Sequence, residues 1–125
     1  MFEVFDASRD GEAWREKLAR LPPPARDIYG DPAYVSLFAF EPGTRGTCAV
    51  FEQGEQLWLH AFLLQPYGEE LYDIETAYGY GGPWSNSDDP AFISRAYAAY
   101  TDWLESQGVI AEFLRLHPLI RNEQY

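Results

Sequence analysis

Residues 47–63 read TCAVFEQGEQLWLHAFL, and their pattern is that of paired strands. Two largely apolar runs, 47–52 and 56–63, flank Gln53-Gly54-Glu55, a glycine-bearing connection of hairpin length, so this stretch predicts a β-hairpin. Cys48 lies within the first run and reads as a buried small hydrophobe rather than a reactive thiol; as the single cysteine it forms no internal disulfide. His60 lies within the second run and reads as a core histidine rather than a ligand.

Toward the C-terminus, residues 71–77 predict a third strand. Leu71, Asp73, Glu75 and Ala77 fall on one face, and Tyr72, Ile74, Thr76 and Tyr78 on the other. This strand runs into the loop Tyr78-Gly79-Tyr80-Gly81-Gly82-Pro83. Asp88-Asp89-Pro90 then supplies a cap, negative charge and a first-turn proline for a long helix. Its apolar stripe is Ile93, Ala96, Tyr97, Tyr100, Trp103 and Leu104, and Gly108 stands where a left-handed C-cap is wanted. Residues 109–116 predict a last strand, and strand, helix and strand together imply a crossover with parallel pairing. With no closing helix after Leu116, this strand is expected to continue into a further element.

Toward the N-terminus, Trp14, Leu18 and Leu21 predict a helix over 11–21, ended by Pro22-Pro23-Pro24. Asp31-Pro32 opens a second, short helix over 32–38. The order α-α-β-β-β-α-β describes one α/β (α+β) domain over residues 1–125. It has a mixed, mostly antiparallel sheet, a β-hairpin, a C-terminal β-α-β unit and helices packed on the sheet.

The chain has 125 residues, 46% of them hydrophobic, which suits one folded domain. Its net charge of -11 repels phosphate backbones and anionic lipid headgroups, so DNA is not an expected partner. No basic n-region with an apolar h-region opens the chain, and no apolar run approaches a spanning length; a cytoplasmic location without membrane insertion is the expectation. Two histidines and one cysteine, none at ligand spacing, predict no metal site.

Two constellations could carry chemistry. The first is the glycine loop: Gly79, Gly81 and Gly82 would let backbone approach a ligand closely, although neither a phosphate loop nor a dinucleotide fingerprint is present. Tyr72, Tyr78, Tyr80 and Trp84 surround it with amphipathic rings that serve either packing or a recognition surface. The second is Phe113, Arg115 and His117, which alternate onto one face of the last strand. Arg115 requires a carboxylate, from Asp73 or Glu75 as a structural ion pair or from a ligand. Pro118 is expected to hold His117 extended at a strand end. Glu69, Glu70, Asp73 and Glu75 could offer a general base, and no nucleophile elbow is present.

Residues 73–83, DIETAYGYGGP, and 112–119, EFLRLHPL, together resemble the paired motifs of FemAB-like acyltransferases of the GNAT superfamily. Asp27-Ile28-Tyr29 and Pro32-Ala33-Tyr34 extend the resemblance over about residues 10 to 122. It implies a GNAT-like domain corresponding to the first half of a tandem enzyme that attaches amino acids to the peptide stem of peptidoglycan precursors or acylates other amines. The implied site is Asp73, Tyr78, Gly79, Tyr80, Gly81, Gly82, Trp84, Arg115 and His117, shaping the cleft between halves and reaching an amine acceptor. The chain lacks the Arg/Gln-x-x-Gly-x-Gly/Ala segment that cradles acyl-CoA, so an acyl-CoA or aminoacyl donor is expected only with a second GNAT-like half or a homo-oligomer. Two other readings stand beside this one: a non-catalytic glycan- or peptide-binding module built on the aromatic rings, and an interaction subunit using an open sheet edge.

Overall fold

In the computed structural model, which describes residues 1–117 and 122–125, six strands form one sheet in the order β1-β2-β3-β4-β6, with β5 also paired to β3. The elements are β1 (Phe2–Asp6), α1 (Gly11–Leu18), α2 (Pro32–Leu37), β2 (Arg45–Gln53), β3 (Gln56–Pro66), β4 (Tyr72–Glu75), β5 (Gly82–Ser85), α3 (Pro90–Gln107) and β6 (Val109–Phe113). Short 3₁₀ turns occupy Pro23–Ala25, Ile28–Gly30 and Asn122–Gln124. Among the described residues, no helix is long and apolar enough to cross a membrane.

The hairpin forms as read. β2 and β3 pair antiparallel down to Gln53↔Gln56, and Gly54 takes the left-handed φ of +62° that the tight turn requires. Both strands are buried on two faces, which is why the sequence there is nearly continuously apolar. The crossover also forms as read: β4 and β6 pair parallel, joined through β5 and α3. Asp89 caps α3 by accepting from the Ala91 N–H at 3.0 Å, and Gly108 closes it at φ +74°.

Two strands depart from the reading. β1 pairs antiparallel with β2, yet all five of its residues are only partly buried, so both faces mix apolar and polar residues and no alternation marks it. β5 lies in the stretch read as loop: Gly82-Pro83-Trp84-Ser85 lacks strand composition, but all four residues are buried against β3. α1 ends at Leu18, before the expected Leu21, because the Leu21 N–H turns back to the Leu18 carbonyl at 3.1 Å, tightening the chain ahead of Pro22. α2 likewise stops at Leu37.

The sheet separates two cores. On one face α1 and α2 pack on β1, β2 and β3, burying Trp14, Leu18, Val35, Val50, Leu59 and Trp84. On the other, α3 buries Phe92, Ala96 and Tyr100 against Trp58, Phe62 and Ile74. Phe92 was not read as part of the helix stripe, whereas Tyr97, which was, is exposed. α1 and α2 cover only part of their face. Following the register Leu63↔Glu75↔Phe113, the same face of β4 and β6 carries Glu75, Ala111 and Phe113, all exposed.

Candidate functional site

The site lies where this uncovered face meets the loop between β4 and β5. The loop is tied at both ends to the chain that follows β6. The Thr76 N–H donates to the Phe113 carbonyl at 3.1 Å, and the Arg115 N–H to Thr76 Oγ1 at 3.2 Å. The Gly81 N–H donates to the Arg115 carbonyl at 2.7 Å, beside a parallel bridge from Gly81 to Leu116. Asn122 completes the clasp, accepting from the His117 N–H at 2.9 Å and donating Nδ2 to the Gly81 carbonyl at 2.7 Å. Arg115 therefore holds the loop with its backbone and leaves its side chain for other work.

The three glycines make room for the protein's own side chains. A Cβ on Gly79, at φ +98°, would stand 2.4 Å from the Tyr29 ring; one on Gly81 would meet Thr76 Cγ2 at 2.7 Å; one on Gly82, at φ +97°, would meet Leu116 at 2.5 Å. The close approach read as suited to a ligand is taken up by internal packing.

Around that loop the segments Asp27-Ile28-Tyr29 and Pro32-Ala33-Tyr34 meet Tyr78, Tyr80 and His117. Tyr29 packs edge-on to Tyr34 at 5.3 Å and to Tyr80 at 5.7 Å. His117 is buried with Tyr29, Tyr80 and Trp84 around it at 6.1, 5.4 and 6.0 Å, and its Nε2 is 3.5 Å from Asp27 Oδ2. The Tyr34 hydroxyl donates to the Tyr78 carbonyl at 2.5 Å, and burial together with its neighbours raises its pKa. Tyr78 itself is 71% exposed and stacks on Phe38 at 6.0 Å. The expectation placed on Pro118 lies outside the described residues.

No known family, no curated protein and no solved structure matches this chain.

Beside Tyr78 opens a cleft of about 280 Å³, lined by Phe38, Phe40, Glu41, Leu63, Gln65, Glu75, Thr76, Tyr78 and Arg115. It combines two carboxylates, one guanidinium and an amide with exposed rings. Arg115 does not form the ion pair expected with Asp73 or Glu75; its Cζ lies over the Phe113 ring at 5.8 Å. Asp73 sits one register step behind Glu75 on that face, with its Oδ1 buried and lacking a hydrogen-bond partner. The four-ring platform does not assemble. Trp84 is 3% exposed in the core beneath α1 and α2, and Tyr72 packs on the opposite side, against the core beneath α3.

Sequence reading missed Phe40, Glu41 and Gln65. Gln65 could have been found from the hairpin register, which puts it on the face of Leu63, but nothing local marks Phe40 and Glu41 as returning to β4. Among the described residues no group of three His, Cys, Asp or Glu side chains is arranged to hold a metal ion. Burial pushes the Cys48 thiol well up, so it is no nucleophile at neutral pH.

Proposed function

We propose that this domain is the acceptor-binding half of an N-acyltransferase: it holds a small-molecule or peptide amine and depends on a second GNAT-like half, or a second copy, for the acyl-CoA or aminoacyl donor. The observation that carries the reading is the cleft itself, where Glu41 and Glu75 share the lining with the rings of Phe38, Phe40 and Tyr78. Carboxylates lining a cleft attract an ammonium group, and rings supply contact area for its carbon chain at low entropic cost. In the reaction the ammonium releases one proton to solvent and the nitrogen lone pair attacks the acyl carbonyl. The new C–N bond forms as the bond from the acyl carbon to the donor's leaving group breaks, and the departing group takes that electron pair and the second nitrogen proton. This half would position the nitrogen. The resemblance to FemAB-like proteins places peptidoglycan stem peptides among the candidate acceptors.

Calorimetry with L-lysinamide, an amine without a carboxylate, tests the reading. Millimolar binding that weakens about fivefold in Glu75→Gln, the order of one exposed charge-assisted contact, is the expected outcome. Tight binding of acetyl-CoA by this chain alone would overturn the half-enzyme assignment. A non-catalytic peptide-binding module is the second reading, favoured by the exposure of Phe40 at 74% and Tyr78 at 71%. It predicts that a peptide binds fully without any second half and that adding one changes nothing.

A further inference from the structure

We propose that Arg115 anchors a carboxylate of the bound molecule, so that the amine taken by this cleft belongs to an amino acid or peptide and not to a simple alkyl amine. The amine part of this statement rests on the proposed function; the carboxylate part stands on Arg115 alone.

In a chain with 20 acidic and 9 basic residues, cations are the scarce partner. Most are engaged: Arg9 with Asp10, Arg15 with Asp31, Lys17 and Arg20 with Glu52, and Arg95 with Gln53. Arg115 has Asp73 and Glu75 on the neighbouring strand, yet its guanidinium makes no ion pair or hydrogen bond to any described residue. Its Cζ lies instead 5.8 Å from the centre of the exposed Phe113 ring, with its N–H donors unused among the described residues. A guanidinium with free donors suits a carboxylate, whose two oxygens match its planar fork of N–H groups. Among the described residues Arg26 and Arg45 are also without an ion pair, but Asp27 and Asp31 beside Arg26 are engaged by His117 and Arg15, and Asp6 beside Arg45 accepts from Ser8.

The sign pattern of the cleft supports the same conclusion. Glu41 and Glu75 share it with Arg115, so a lone cation meets a repelling guanidinium and a lone anion meets repelling carboxylates. A molecule bearing both charges satisfies both ends. The overall charge of -11 disfavours anions, so a site that accepts a carboxylate needs a dedicated local cation.

The test compares L-lysine, L-lysinamide and Nα,Nε-diacetyl-L-lysine by titration followed in ¹⁵N NMR, on the wild-type chain and on Arg115→Gln and Arg115→Lys. Because Arg115 is exposed, both variants are expected to keep the wild-type unfolding midpoint. The expected result is lysine binding about tenfold tighter than lysinamide, the ratio falling to about one in Arg115→Gln and partly retained in Arg115→Lys. Equal affinity for lysine and lysinamide in the wild type overturns the anchor and leaves the amine site standing. Diacetyl-lysine binding as tightly as lysine, and lost in Arg115→Gln, sustains the anchor while removing the amine reading. Binding of none of the three overturns both.

Discussion

His60 is fully buried, with Trp58, Phe62 and Tyr100 around it at 6.1, 4.9 and 5.4 Å. Burial pushes its imidazole down to about 3, against a weaker opposing pull from the Gly82 backbone, and neither ring nitrogen makes a hydrogen bond of ordinary geometry. The folded chain thus excludes a proton that the unfolded chain accepts below pH 6.5. Stability is full above 6.5 and is lost as the pH falls toward 3, at about 1.4 kcal/mol per pH unit from this group. Urea unfolding at pH 7, 6 and 5 is expected to show a fall in stability that steepens toward this limiting slope in the wild type and a smaller fall in His60→Leu; equal falls would refute it. Carboxylates such as Glu52, which the Lys17 hydrogen bond holds below its usual value, contribute only at lower pH. The core roles of Cys48 and His60 were legible from sequence because each interrupts an apolar run. The state of Arg115 was not, since whether a guanidinium meets a neighbouring carboxylate is decided by side-chain direction and not by strand register.

At the scale of elements, the glycine loop carries the clearest test. Gly54 and Gly79 both have positive φ, +62° and +98°, but nothing lies within 4 Å of a Cβ at Gly54, whereas at Gly79 the Tyr29 ring lies 2.4 Å away. Gly54→Ala is expected to cost about 1 kcal/mol from backbone strain alone. Gly79→Ala should cost about 3 kcal/mol, and combining it with Tyr29→Ala should recover the steric part as a coupling in a double-mutant cycle. Strict additivity in denaturant melts would mean that the ring does not pack there. The hairpin, the capped α3 and the parallel return to β6 were legible because each is signalled within its own segment: a two-strand pattern, a cap with proline, a terminal glycine. β1 and β5 were not. β1 is half-covered on both faces, and β5 is a strand only because β3 offers it a free edge.

For the molecule as a whole, the four tryptophans divide across the sheet: Trp14 and Trp84 lie in one core, Trp58 and Trp103 in or against the other. β3 contributes buried side chains to both, Leu59 to the first and Phe62 to the second, so neither core can be lost while the other stays intact. Variants keeping only one tryptophan pair, with phenylalanine in place of the other, should each show fluorescence and circular-dichroism midpoints that coincide. Midpoints that separate within one variant would mean that the faces unfold independently. The candidate site belongs to this scale as well. Tyr29, Tyr34, Tyr78, Arg115 and His117 were readable as motifs, but their convergence, and the arrival of Phe40 and Glu41 beside Glu75, depend on how α2 leaves the sheet.

One side of β3 is shared by two strands: β4 lies opposite Leu63–Pro66 in the register and β5 opposite Trp58–Ala61, with Phe62 between them. Both ends of the intervening loop are thus moored to the same strand, while Thr76 and Gly81 within it are also fastened to the chain after β6. The wall of the cleft is a doubly pinned panel: its outline is inherited from the sheet, and a different guest would be met by exchanging the outward side chain of Tyr78 and not by changing the length of the loop.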